Sequence, residues 1–260
     1  MSGRRVLEEL FGVSKPILAM LHLQGDNPHD ILHRAMRETE ILVGNGVDGL
    51  IVEDYFGSRR DVEAVLARLA ADTPPVPYGV NVLDDGATSF ALADHYGATF
   101  VQMDSIAGHL PPAQDAQFAT STERIRRWSS AVLLGGVRFK YQEVLSGNPA
   151  DVDLRIAMDR CDAVVVTGDR TGQETSPAKI RAFRDVLGAD FPLVVGAGVT
   201  PANCHEQLLL ADAAIVGSSL KDTGTAAGEV SAQAVAEFMA AVRQVRESAA
   251  TPSVPGGEAP

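Results

Sequence analysis

Ionisable and polar side chains stand directly behind apolar runs at several places in this 260-residue chain. "GLIV" ends on Glu53 and Asp54, "ATFVQM" on Asp104, "PILAML" on His22 and "VRF" on Lys140. "VPYGV" ends on Asn81, with Asp84 and Asp85 close behind, and "DAVVV" on Thr167, with Asp169, Thr171 and Gly172 close behind. Two carboxyl groups such as Glu53 and Asp104, one protonated and one ionised, can cleave or form a glycosidic bond through an oxocarbenium-like state. The imidazole of His22 adds a proton shuttle near neutral pH. Lys140 admits two readings: a fixed positive charge beside a carboxylate, or a Schiff-base nucleophile of aldolase type if its pKa were lowered. Several nearby acids favour the first. Asp54 and Asp84, with Glu53 and Asp104, also offer hard oxygen ligands for Mg2+ shared with a substrate phosphate. No ligand spacing marks such a site, and a turn or helix cap is the simpler role for Asp84, Asp85 and Asp169.

A second group of residues binds rather than reacts. "VVGAGVTPAN" carries Gly196, Ala197 and Gly198 and is expected to enter a helix at Thr200-Pro201; "AIVGSSLK" carries Gly217, Ser218 and Ser219. Glycine lets backbone N–H groups approach an anion closely, and a helix start adds free donors and a favourable dipole. Two such turns in succession point to a phosphate site; the alternative is that the glycines only permit tight turns. Asn81, Thr167, Thr171 and Gly172 are expected to contact the rest of the ligand.

These residues need elements to hold them. Eight short apolar, β-branched segments recur, at 16–23, 49–54, 76–83, 98–104, 132–141, 162–168, 192–198 and 213–219. Most lack polar alternation, as parallel strands buried on both faces do. Helical spacing lies between them, in "HDILHRAMRETEILVGNG", "RRDVEAVLARLAAD", "SPAKIRAFRDVLG", "TPANCHEQLLLA" and "SAQAVAEFMAAVRQVRE". Ser-Pro and Thr-Pro are helix openings, and Gly188 a helix stop. Eight strand–helix units in a chain of this length predict an α/β fold, a TIM (β/α)8 barrel over residues 1–250, opened by a short N-terminal helix. A doubly wound open sheet is the alternative, but no strand is followed by the G-x-G-x-x-G fingerprint with a later acid. In a barrel the strand ends gather at one mouth. Strand periodicity sends Glu53 and Asp54 to opposite sides, so only one faces that mouth.

The bulk numbers narrow the function. A formal charge of -12 argues against nucleic-acid binding. No apolar run approaches the roughly 18 residues that cross a membrane. Cys161 and Cys204 form no metal spacing and read as reduced thiols, consistent with a cytoplasmic protein. Residues 251–260, "TPSVPGGEAP", read as a disordered tail. The expected partner is a phosphorylated small molecule. A homo-oligomer is left open, because no surface stripe marks an interface.

From about residue 16 to residue 242 the chain resembles the BtpA/SgcQ family of TIM-barrel proteins. "DAVVVTGDRTGQ" and "VVGAGVTPANCHEQLLLADAAIVGSSLKDTG" carry the likeness: Thr171, Gly172, Gly196, Gly198, Thr200, Asn203, Gly217, Ser218 and Lys221 fall on the family pattern, as do His22, Glu53 and Asn81. The chain departs from that pattern on the other side of the barrel. It reads "HLQGDNPHD" for a Pro-Leu-Pro-Gly loop, Asp54 for Asn, "LDDG" for Leu-Arg-Asn-Asp, "FVQMDS" for a strand bearing Arg, and Tyr141 for His. The resemblance therefore implies a retained phosphate end and an opposite wall richer in acids. Members are linked to photosystem I accumulation and to sugar uptake, so it carries no single reaction. Two readings follow: an enzyme on a phosphorylated sugar or nucleoside phosphate, or a non-catalytic assembly or regulatory factor. Several ionisable groups aimed at one mouth favour the enzyme.

Overall fold

The computed structural model describes residues 4–250, so the expectation for residues 251–260 lies outside the described residues. The strands are β1 (Ile17–Leu21), β2 (Gly49–Glu53), β3 (Tyr78–Asn81), β4 (Phe100–Ala107), β5 (Val132–Val137), β6 (Ala163–Thr167), β7 (Leu193–Gly196) and β8 (Ala213–Val216). They close into a parallel barrel in sequence order, β8 returning to β1 through pairs such as Leu18 with Ile215. The TIM barrel expected from the sequence is the fold observed. The helices are α1 (Arg4–Phe11), α2 (Pro28–Gly44), α3 (Arg59–Asp72), α4 (Gly86–Tyr96), α5 (Pro112–Arg126), α6 (Ala150–Arg160), α7 (Pro177–Leu187), α8 (Cys204–Leu210) and α9 (Ala232–Ala250). Among the described residues no helix is long and apolar enough to cross a membrane.

Two cores form because each strand has two buried faces. The outer one lies between the barrel and its helices, with Leu50, Val52, Val101, Val166 and Val195 on the strand side. The inner one fills the barrel, with Leu18, Met20, Ile51, Phe100, Leu134, Val165, Val194 and Ile215. Residues of the inner set lie two apart along a strand, as the pleat requires. The N-terminal helix closes the lower end: Leu7 and Phe11 join the inner core, and Phe11 meets Phe100 edge to face at 5.4 Å between ring centres. Gly49 leaves room for it, since a Cβ there would meet the Phe11 ring at 2.7 Å.

One device recurs at the lower rim. An acid just ahead of a strand accepts an N–H from the first or second residue of the preceding strand and pairs with an arginine from a helix. Asp48 takes Ile17 N (2.7 Å) and Arg246, Asp162 takes Leu133 N (2.8 Å) and Arg126, and Asp212 takes Leu193 N (2.9 Å) and Arg184. These three acids satisfy strand amides that open the ladder, and they belong to the scaffold rather than to the mouth.

Helix starts follow their caps. Asn27 accepts Asp30 N ahead of Pro28, Ser58 and Asp61 form a capping box, Asp85 accepts Thr88 N, and Ser176 accepts Lys179 N ahead of Pro177. Asp85 is thus a helix cap. Three boundaries differ from the sequence reading. Thr200–Asn203 is a turn rather than the first turn of a helix: the Asn203 side chain accepts Thr200 N (2.8 Å) and donates to Gly198 O (3.0 Å), and regular helix begins at Cys204. Strand β5 stops at Val137, three residues before Lys140, which stands in the following loop. Strand β4 runs past Asp104 to Ala107 through a register shift after Met103.

Candidate functional site

Continuing each inward strand face by two residues builds the mouth. Met20 leads to His22, Ile51 to Glu53, Phe100 to Gln102, Val165 to Thr167, Val194 to Gly196 and Ile215 to Gly217. All six of the later residues line one cavity, with Met20, Val165 and Ile215 as its floor. About 470 Å³ of space between these residues is unfilled, a figure that includes open solvent. The loop residues Lys140, Thr171, Gly172, Ala197, Gly198 and Ser218 complete its rim.

Glu53 is 5% exposed and faces this cavity. Asp54 points away and accepts Leu83 N (2.9 Å), tying the β2 loop to the β3 loop. The Asn81 side-chain nitrogen donates to Glu53 Oε1 and to Asp104 Oδ1, both at 2.9 Å, and Gln102 donates to Asp104 at 3.1 Å. Asn81 therefore bridges the two acids. Burial pushes the Glu53 carboxyl up to about 8, and the Asp104 charge adds to the rise against the opposition of Lys140 and Asn81. Burial raises Asp104 as well, opposed by hydrogen bonds from Asn81 and Gln102 and by Lys140.

His22 is held the other way. Burial, with the charges of Lys221, Lys140 and Arg34, lowers it to about 3. Its Nδ1 lies 3.3 Å from Ala226 O, and a carbonyl only accepts, so Nδ1 carries the hydrogen. Nε2 is then a bare acceptor 3.7 Å from Glu53 Oε2. At neutral pH this is a protonated acid facing a neutral imidazole, not an ion pair. The expectation that His22 titrates near neutrality is corrected accordingly: a buried ring ringed by three cations stays neutral.

Lys140 lines the cavity and is fixed at its backbone, its amide donating to Thr167 Oγ1 at 3.0 Å. The loop after β6 folds across the rim. Tyr55 donates to Thr171 Oγ1 (3.3 Å), Thr171 N donates to Tyr141 Oη (2.9 Å), and Thr175 Oγ1 donates to Gly196 O (2.8 Å). The Tyr55 ring also packs on His22 at 5.0 Å. Gly198, at φ +67, receives this loop: a Cβ there would meet the backbone of Gln173 and Glu174 at 2.2 Å.

The glycine-bearing turns stand opposite the acids. After β8 a short 3-10 turn, Ser218–Leu220, closes with Leu220 N to Gly217 O and Lys221 N to Ser218 O. The amides of Ser218 and Ser219 have no partner within that turn, and no side chain caps it. Ser218 lines the cavity. The Ser219 hydroxyl does not; it donates to Val199 O at 2.5 Å, joining the β8 loop to the β7 loop. Of the ligand contacts expected from sequence, Thr167, Thr171 and Gly172 border the cavity, whereas Asn81 lies behind Glu53 as its support.

No metal centre is evident among the described residues: nowhere do three or more His, Cys, Asp or Glu side chains group to hold an ion. Asp54 serves the Leu83 amide, and Asp84, at φ +58, borders a neighbouring cavity with Asp104. Cys161 and Cys204 are both free thiols and buried.

Known proteins fit this picture. The model of the BtpA family matches residues 13–244. The putative sgc region protein SgcQ of Escherichia coli is 26% identical over 92% of this chain and 98% of its own length. The photosystem I biogenesis protein BtpA of Synechocystis sp. is 25% identical over 92% of this chain and 91% of its own. Among solved structures, phosphoribosyl anthranilate isomerase from Thermus thermophilus superposes with a TM-score of 0.59 at 18% identity, covering 89% of this chain and 100% of that one. Thiamine phosphate pyrophosphorylase from Pyrococcus furiosus superposes with a TM-score of 0.60 at 15% identity, covering 89% and 96%. At these identities the structures share the fold. With a family match spanning nearly all of the barrel, the chain belongs to the BtpA family.

Proposed function

We propose that this protein is an enzyme acting on a phosphorylated sugar or nucleoside phosphate, with carboxyl acid–base chemistry at the sugar. One observation carries the reading: a buried Glu53, its carboxyl pushed up by burial to about 8, shares a cavity with two glycine-bearing turns and is bridged by Asn81 to a second acid, Asp104, on the wall of the neighbouring cavity. The amides after β7 and β8 hold the phosphate; this is where barrels of this kind place it. Glu53 gives its proton to the leaving-group oxygen or nitrogen as the bond to the sugar carbon breaks. Asp104 supplies negative charge to the oxocarbenium-like centre; water, or the hydroxyl of an acceptor, then bonds to that carbon and returns its proton to the Glu53 carboxylate. Both acids accept from one nitrogen, so the two accepting oxygens lie within about 6 Å of each other. Lys140 balances the charge of the two acids, and neutral His22 orients the Glu53 proton through Nε2. Fold relatives named for phosphorylated compounds are consistent with a phosphate end. Mg2+ enters only as an ion carried in with the phosphate.

Thermal unfolding against phosphorylated sugars and nucleotides, each paired with its unphosphorylated analogue and each with and without Mg2+, tests the reading. A ligand of the folded state raises the midpoint by mass action. Shifts confined to phosphorylated members support it, and Glu53→Gln should then abolish turnover of the compound that ranks first while leaving its binding within about threefold. Silence across the whole panel would sink the enzyme reading in favour of a non-catalytic factor.

A further inference from the structure

A second cavity shares no lining residue with the first, but the Glu53–Asn81–Asp104 bridge joins their walls: Glu53 lines the first, and Asn81 and Asp104 form part of the wall of the second. Asp84 and Gln142 also line it, together with Ser105 and His109, and no lysine or arginine does. Ser105 is 7% exposed, yet its hydroxyl has no hydrogen-bond partner among the described residues. His109 Nδ1 and Gln142 Oε1 are likewise buried without one. A buried polar atom without a partner costs about 1–3 kcal/mol, so three around one cavity mark a place built for a polar guest. The chemistry of that guest follows from the wall. Three carboxyl groups line it; Asp85 is already engaged with Thr88, while Asp84, Asp104 and the amide oxygen of Gln142 accept hydrogen bonds, and a primary ammonium is the group that offers three donors and no acceptor. Met103 and Phe118 give apolar shoulders for the carbon that bears it.

We propose that this cavity binds a primary ammonium group on the substrate, at the end remote from the phosphate. The inference rests on the phosphate reading above and extends it: the ligand is a phosphorylated amine, held across the acid bridge with its reacting carbon beside Glu53 and Asp104.

Calorimetric titration of the full chain with inorganic phosphate and with alkyl phosphates of graded length tests it. The alkyl phosphates end in ammonium, hydroxyl or carboxylate. A charged hydrogen-bonded head group should bind about tenfold or more tighter than its hydroxyl counterpart at the best length, with the carboxylate weakest. Asp84→Asn should reduce that preference to threefold or less and leave the affinity for inorganic phosphate unchanged. Asparagine tolerates the left-handed backbone at this position, so the fold should survive the change. Equal binding of ammonium and hydroxyl heads, or a preference that Asp84→Asn leaves intact, would overturn the ammonium site alone. Absence of binding by phosphate and every ester would overturn the phosphate reading and the ammonium site with it.

Discussion

Replacing Glu53 by glutamine should flatten the alkaline side of this protein's stability profile. In the folded chain Glu53 titrates at about 8, against 4.5 for the free side chain. The folded state thus holds a proton that the unfolded state releases, and stability falls as pH rises between those values, by about 1.4 kcal/mol per unit. His22 works in the opposite sense. Its folded value of about 3, against 6.5, means that stability is full above pH 6.5 and is lost as pH falls towards 3. The two slopes cancel from pH 4.5 to 6.5. From pH 6.5 to 8 Glu53 acts alone and the wild type loses about 2 kcal/mol. Glutamine keeps an oxygen for Asn81 and has no proton to lose. The stability difference, variant minus wild type, should therefore grow by about 2 kcal/mol between pH 6.5 and 8, and other groups cancel in that difference. Urea unfolding at fixed pH values measures it. A difference constant across that range would show Glu53 ionised like an exposed carboxylate, and the general-acid role would fall with it.

Other perturbations separate scaffold from site. Gly198→Ala puts a Cβ at φ +67 into the Gln173–Glu174 backbone and should cost about 3 kcal/mol or more, while Gly196→Ala, whose nearest neighbour would be 3.5 Å away, should cost less than about 1 kcal/mol in the same denaturation assay. Asp162→Ala leaves Leu133 N and Arg126 without their acceptor and should lower stability by about 1–3 kcal/mol with no change in ligand affinity. Phe11→Ala opens the lower end of the barrel beside Phe100 and should cost about 3–5 kcal/mol, again read by chemical denaturation.

The barrel is legible in the sequence because its strands are apolar on both faces and therefore read as unbroken runs. Of the acids legible at strand ends, Glu53 lies two residues beyond the inward Ile51, whereas Asp104, past the register shift after Met103, borders the neighbouring cavity; the same rule, applied to Phe100, reaches Gln102, which apolar runs alone do not reveal. Tyr55 and Tyr141 escape such reading because they act from loops, reaching Thr171 across more than a hundred and about thirty residues of chain respectively. The neutrality of His22 depends first on its burial and then on the charges of Lys221, Lys140 and Arg34, which tertiary packing brings together from three separate segments. Helix α5 leaves little periodic signal, since Thr122 is its one fully buried side chain. The start of α8 is displaced because the side chain of Asn203 bonds back to Thr200 and Gly198, a local choice that competes with helix.

If the turns after β7 and β8 hold a phosphate opposite a protonated Glu53, backbone amide resonances followed during titration with inorganic phosphate report it. Saturable shifts should concentrate at Gly198, Ser218 and Ser219, with one shared dissociation constant. Saturable shifts confined to other parts of the chain, or none at these amides, would contradict it.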